Sequence, residues 1–244
     1  MTHSEGRDSR PTADTTLPLF PLHTVALPGV HLPLHIFEPR YRQLTIDLVT
    51  EVVPDRLFGV VAIRNPAIGE VDQLEHVHAT GCAVRLREAR RLPDGRFDIV
   101  GTGHRRFRLL DIDSGSAPYL RGDVEWVDDE PLPEGSAEAE EAVFRLADAG
   151  RAAHRRYCSV AWESDGWQSP PRDLDPTLLA YRLASDCILP LADRQELLEE
   201  RHPLRRLRLT CRLLAREAAF VSELGAVPPP AHEVNENLLR PNLN

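Results

Sequence analysis

The chain has 244 residues, 42% of them hydrophobic and 27% charged, which is typical of a globular protein with one large domain or two small ones. Its net charge of −9 opposes binding to nucleic acid and to anionic membranes. All 29 basic residues are arginine, and without lysine there can be no P-loop, Schiff base or Ser–Lys dyad.

The N-terminal segment is polar and is followed by short apolar runs. Residues 1–16 have no apolar signal-peptide core, and we predict that they form a disordered tail. The runs at 17–22 and 30–37 contain prolines, which favours strands at sheet edges or bulges. The continuous apolar run at 57–63 is typical of a strand buried on both faces.

A β-hairpin is predicted over residues 81–101. Apolar residues alternate with arginines at its start, Pro93-Asp94-Gly95 supplies a tight reversal, and a partner strand begins at Phe97. Residues 107–112 and 119–126 predict two further strands.

One helix is predicted to interrupt this β region. Pro39 suits the first helical position, and Glu38 places a carboxylate at the positive end of the helix. The helix should end before Pro54. Its apolar face is formed at helical spacing by Tyr41, Leu44 and Leu48, and would extend to Val52.

After a predicted acidic linker at 128–137, the apolar spacing becomes helical. Asp175-Pro176 predicts one helix start, and Asp193 with Glu196 predicts a capping box at another. The clearest amphipathic helix begins at Pro203. Its apolar stripe comprises Leu204, Leu207, Cys211, Leu214, Ala218 and Val221, and the arginines off that stripe are Arg205, Arg206, Arg208, Arg212 and Arg216. Residues 225–244 are predicted to be an extended tail.

No motif for catalysis or metal binding stands out. The four cysteines, Cys82, Cys158, Cys187 and Cys211, form no C-x-x-C pair, which favours reduced thiols in a cytoplasmic protein. His76 and His78 have a spacing that could hold a metal, but without a third ligand a solvated strand end is favoured. There is no G-x-S-x-G sequence and no apolar stretch long enough to span a membrane. We therefore predict no catalytic residue, metal or cofactor.

Three segments together resemble the N-terminal substrate-binding domain of Lon proteases. They are LPLFPLHTVALPGVHLPLHIFEPRYRQL (17–44), RRLPDGRFDIVGTGHRRFRLLDI (90–112) and PYLRGDVEWVDDEP (118–131). The resemblance implies an α+β fold, with a PUA-like β-barrel of about six strands and one inserted helix over 17–133. A C-terminal α-helical bundle would follow over 134–224.

The resemblance also implies a function. We expect a stand-alone, non-catalytic substrate-recognition module that binds unfolded or tagged polypeptide, in an apolar groove between barrel and bundle. A protease or chaperone is a candidate partner, and the oligomeric state stays open. The alternative is an RNA-binding PUA-like protein that uses the basic run 104–108, although strand alternation favours placing these arginines on a solvated face. We do not expect nucleic acid as the partner.

Six residues are predicted to bind polypeptide or to define the fold. A structural role is favoured for the four that lie between residues 37 and 41. Glu38 would cap the helix, Tyr41 would pack beneath it, and Arg40 would pair with a carboxylate. The set is Phe37, Glu38, Arg40, Tyr41, Arg106 and Phe107.

Overall fold

The structure is a computed structural model, and it describes residues 15–65, 67, 70–132, 136–162 and 167–224. The strands are Thr15–Leu22 (β1), His31–Ile36 (β2), Leu57–Ala62 (β3), Thr80–Arg91 (β4), Phe97–Asp113 (β5) and Arg121–Val127 (β6). The α-helices are Pro39–Val49 (α1), Ala137–Ala161 (α2), Pro176–Ser185 (α3), Leu191–Glu199 (α4) and Pro203–Leu224 (α5). The predicted tails lie outside the described residues, except that Thr15 and Thr16 belong to β1.

The six strands form one mixed sheet in the order β2-β5-β4-β3-β1-β6. β1 and β3 are parallel, and the other paired strands are antiparallel. β6 pairs with β5 as well as β1, so the sheet curls on itself, but among the described strands β2 has β5 as its single neighbour. The predicted β-barrel of about six strands is therefore wrong in that the six strands do not close into a barrel. Pro33 within β2 has no N–H to donate, which suits a strand at an edge.

The predicted hairpin is confirmed as β4 and β5. The Leu92 N–H donates to the Arg96 carbonyl at 2.8 Å, and Gly95 has a φ of +83° in the turn. However, β5 is one long strand and not the two that we predicted, because the Gly-Thr-Gly segment at 101–103 continues it. A Cβ atom on Gly103 would lie 2.0 Å from the Leu27 carbonyl oxygen, so this glycine allows another backbone segment to pack directly on the strand.

The inserted helix lies where we predicted it. Tyr41, Leu44 and Leu48 are buried, but Val52 is 70% exposed, so the predicted extension of this face is wrong. The helix ends at Val49, and Glu51 then has a φ of +61°, which takes the chain out of helical periodicity.

The C-terminal helices α2, α3 and α5 pack closely on one another. A Cβ atom on Gly150 of α2 would lie 3.0 Å from both Leu183 of α3 and Leu207 of α5. The predicted cap of α3 is confirmed, since the Asp175 side chain accepts a hydrogen bond from the Thr177 N–H at 2.9 Å. The predicted capping box at Asp193 is wrong because the N-cap of α4 is Pro190, three residues earlier.

The largest hydrophobic cluster is shared by the sheet and the helices. It includes Phe58 of β3, Val84 of β4, Leu183 of α3 and Leu207 of α5. A smaller cluster includes Phe107 of β5 together with Leu19 of β1 and Val61 of β3. The two halves thus pack on one another. The boundary at residue 133, and the description of 134–224 as a separate bundle, stay predictions.

Candidate functional site

The predicted residues 37–41 form a corner between β2 and α1. Tyr41 is buried and stacks on Phe20, with ring centroids 4.0 Å apart. Burial raises the pKa of Tyr41 to about 12, although the positive charge of Arg40 acts in the opposite direction. The Arg40 guanidinium lies 4.8 Å from the Tyr41 ring centroid, and its Nε donates to Glu38 at 3.0 Å. Tyr41 and Arg40 therefore occupy the structural positions that we expected.

Glu38 does not make the contact that we predicted for it, and Phe37 is partly exposed. Glu38 stands at the N-cap position of α1, but its side chain makes no capping hydrogen bond and pairs with Arg40 instead. The predicted capping role is therefore wrong for the Glu38 carboxylate. Phe37 is 37% exposed, a large fraction for a phenylalanine side chain. Of these four residues, Phe37 offers the most apolar surface to a partner.

The other two predicted residues lie away from this corner. Phe107 is fully buried in the smaller cluster, where Gly59 and Gly81 leave room for its ring. Arg106 is buried as well, so the prediction of a solvated face is wrong for this residue. The β4–β5 register shifts beside His104, since Ala83 pairs with Arg105 and Val84 with Gly103, and this bulge disturbs the strict alternation of the strand.

Arg106 takes part in a buried cluster with Asp129 and Arg206, which we call the Arg–Asp–Arg cluster. Arg206 donates to both carboxylate oxygens of Asp129, at 2.8 and 2.7 Å, and Arg106 donates to one of them. The Arg106 Nη1 also donates to the carbonyls of Leu198 and Glu200 at 3.1 and 3.0 Å. The cluster thus joins β5, the segment after β6, the end of α4, and α5.

Arg206 is completely buried, although it lies off the apolar stripe of α5. It also donates to the carbonyls of Glu200 and Thr177 at 2.9 and 2.6 Å, and its guanidinium lies 4.2 Å from the Tyr181 ring centroid. Burial acts to lower the Arg206 pKa, but hydrogen bonding and charge pairing with Asp129 outweigh burial and raise it. Arg206 therefore stays charged and acts as a structural link. The sequence pattern gave no signal of this role.

The remaining arginines of the basic run are paired with carboxylates. Arg105 donates to Asp128 at 2.8 Å, and its guanidinium carbon lies 4.9 Å from the Trp126 ring centroid. Arg108 pairs with Glu125. These partners neutralise much of the charge that would attract phosphate.

The buried His154 and Cys158 and the partly exposed Asp186 are the residue types of a catalytic triad, but their geometry is different. The Nε2 atom of His154 lies 2.8 Å from Asp186 and 3.5 Å from the Cys158 Sγ, whereas the Nδ1 atom is farther from this sulfur, at 4.0 Å. A relay requires the two ring nitrogens to serve different partners. Burial raises the pKa of Cys158 to about 12, which disfavours a thiolate nucleophile.

Within the described part of the chain, no cluster of three or more His, Cys, Asp or Glu side chains could hold a metal ion. His76 ends a 3-10 turn, Leu74–His76, and lies 3.2 Å from Asp72, whereas His78 lies 3.9 Å from Glu199. None of the helices described is both long and apolar enough to cross a membrane.

Residues 16–216 match the family model of the ATP-dependent protease La (LON) substrate-binding domain. The chain belongs to this family. Lon protease 1 of Thermus thermophilus is 25% identical over 202 residues, which cover 82% of this chain and 24% of the relative. Lon protease of Anaeromyxobacter dehalogenans is 27% identical over 203 residues, which cover 82% of this chain and 23% of the relative. The chain therefore spans about a quarter of the length of these Lon relatives.

Two solved structures share the fold. The Lon N-terminal domain protein from Xanthomonas campestris is 28% identical with a TM-score of 0.56, covering 80% of this chain and 95% of its own. The N-terminal domain of Mycobacterium avium complex Lon protease is 20% identical with a TM-score of 0.58, and the match covers 82% of this chain and 98% of that domain. The resemblance to the Lon N-terminal domain and the α+β class are confirmed. The family model that matches residues 16–216 describes the substrate-binding domain, which is non-catalytic, and does not include the peptidase domain of Lon.

Proposed function

We propose that this chain is a non-catalytic substrate-recognition module that binds unfolded or tagged polypeptide. Membership in the Lon substrate-binding domain family, over residues 16–216, carries the proposal. A protease or a chaperone that acts on the captured polypeptide is the partner that such a module requires.

We expected an apolar groove between the sheet and the helices, but polar contacts join the sheet to α4. Gln195 of α4 donates to the Thr80 carbonyl at 3.0 Å, and Arg106 donates to the Leu198 carbonyl, so polar contacts already join the two surfaces. We therefore place polypeptide binding elsewhere.

The outer edge of β2 and the adjoining corner are better suited to polypeptide. Among the described residues, the backbone partners of β2 come from β5 on one side. The other edge can pair with an extended segment, because an unfolded chain carries unsatisfied backbone N–H and C=O groups. Phe37 follows β2 directly, and Ile46 and Val49, one turn apart on α1, are also exposed apolar side chains. Main-chain pairing and apolar contact together would bind polypeptide of varied sequence.

Fluorescence anisotropy with a reduced, carboxamidomethylated protein that stays unfolded tests this function. We expect a dissociation constant no better than about micromolar, with little dependence on salt, as for small apolar interfaces. Phe37→Ser should weaken binding about fivefold because it removes an exposed aromatic side chain from the contact. Phe144→Ser, which replaces a 57% exposed phenylalanine on α2, is the matched control and should have little effect.

A structured RNA in the same titration tests the alternative. Pairing of Arg105, Arg106 and Arg108 with carboxylates leads us to expect weaker binding to RNA than to unfolded polypeptide. Tight RNA binding that collapses at high salt, with no response to unfolded polypeptide, would contradict the proposed function.

A further inference from the structure

A charged groove of about 540 Å³ lies between α4 and α5, away from the β2–α1 corner. It is lined by Glu130, Glu196, Glu199, Glu200, Arg201, Arg205, Arg208, Leu209 and Arg212. The groove brings an acidic wall on α4 opposite a basic wall on α5, with the mostly buried Leu209 between charged neighbours.

The basic wall consists of three arginines of α5. Arg205, Arg208 and Arg212 follow the spacing i, i+3, i+7, so they share one side of α5, and all three are exposed. Within the part of the chain that the structure describes, none of the three makes a hydrogen bond or an ion pair. By contrast, Arg216 further along α5 pairs with Asp193 at 2.5 Å. Three exposed guanidinium groups thus lie on one side of α5 with no protein partner among the residues described.

Two glutamates of the acidic wall accept hydrogen bonds from within the protein. Glu199 accepts a hydrogen bond from Gln195 at 2.7 Å, and Glu200 accepts one from the His202 N–H at 2.8 Å. These glutamates line the same groove as the arginines of α5, but no ion pair within 4 Å joins the two walls among the described residues. Space for a ligand therefore remains between charges of opposite sign.

The spacing of the arginines fits an extended polypeptide. Arg208 and Arg212 are separated by about 6 Å along the helix axis, from a rise of about 1.5 Å per residue. Alternate side chains of an extended strand lie on one face, about 6.6 Å apart. Carboxylates at alternate positions of an extended segment can therefore follow the basic wall, each within reach of one long and flexible arginine.

We propose that the α4–α5 groove binds an acidic segment of the polypeptide substrate in an extended conformation, with its carboxylates on Arg205, Arg208 and Arg212. This inference rests on the proposed function and names a second contact and the substrate chemistry that it selects. The acidic wall favours polypeptide over nucleic acid. A polypeptide can direct neutral or basic side chains to α4, whereas the phosphates of a nucleic acid would also approach Glu196 and Glu199.

A short peptide with Glu at alternate positions, and the same peptide with Gln in their place, test the groove by fluorescence anisotropy. The Glu peptide should bind more tightly, and its binding should weaken as salt is raised. The triple variant Arg205→Gln/Arg208→Gln/Arg212→Gln should lose about tenfold in affinity, since three exposed ion pairs are lost. Glu196→Gln should increase affinity about twofold by removing a repulsive charge.

The matched control is Arg155→Gln/Arg156→Gln on α2, which removes exposed arginines outside the groove and should change affinity less than twofold. Thermal melting checks that each variant is folded. Equal binding of the Glu and Gln peptides, or an unchanged affinity in the triple variant, would overturn the proposal. If the Glu and Gln peptides bind equally while the carboxamidomethylated unfolded protein still binds in a Phe37-dependent way, only the proposal for the groove is refuted. If neither ligand binds, the proposed function itself fails.

Discussion

Replacing Asp129 by Asn tests how the two halves of the protein are held together. The substitution keeps the size of the side chain but removes the single carboxylate shared by Arg106 and Arg206. The arginine side chains are 3% and 0% exposed, and that of Asp129 is 26% exposed. Two guanidinium charges would therefore stay in the interior without a counter-ion.

Breaking a buried ion pair on one side typically costs about 3–5 kcal/mol. We expect the lower end, about 3 kcal/mol, because the carbonyls of Leu198, Glu200 and Thr177 still accept hydrogen bonds from the arginines and Asp129 is partly solvated. With a urea m-value of roughly 2–3 kcal/mol/M, the unfolding midpoint should fall by about 1 M.

Urea unfolding followed by circular dichroism measures this shift. Asp128→Asn is the control, since it affects the neighbouring, mostly exposed pair with Arg105 and should cost less than about 0.5 kcal/mol. An Asp129→Asn variant within about 1 kcal/mol of the wild type, at an unchanged m-value, would refute the argument that this cluster holds the sheet and the helices together.

Two further predictions concern the interior. Gly81→Ala should destabilise the protein by about 2 kcal/mol in urea unfolding, because the new Cβ would lie 2.4 Å from the Phe107 ring. Phe107→Ala should relieve the clash with the ring but not the one with the Val60 carbonyl oxygen, 2.7 Å away. Gly81→Ala should therefore cost less in the Phe107→Ala background, and equal costs in both backgrounds would contradict the reasoning. Burial raises the pKa values of Cys158 and Cys187 to about 12, so about one thiol in ten thousand is ionised at pH 8. Timed alkylation at pH 8 should therefore modify the half-buried Cys211 first in the native protein and all the cysteines after unfolding, and rapid native modification of Cys158 would count against this.

The candidate sites were only partly predictable from the sequence. The corner around Tyr41 could be predicted because a proline at a helix start and three apolar residues at helical spacing are local signals. The groove could not be predicted, since it depends on how α4 lies beside α5. Spacing places Arg205, Arg208 and Arg212 on one side of a helix but does not show which charges face them.

The sequence by itself determined the type and approximate place of most elements, because periods of 2 and 3.6, N-caps and tight turns depend on neighbouring residues. Prolines indicated edges for both β1 and β2, and only the tertiary structure decided that β2 is an edge whereas β1 is paired on both sides. It also decided that Arg206 is buried. Helical spacing places Arg206 off the apolar stripe, which predicts solvent exposure. Its burial requires Asp129, which is 77 residues away, together with carbonyls at the ends of two other helices. A charge can leave water only where such partners converge, and their convergence is a property of the assembled fold.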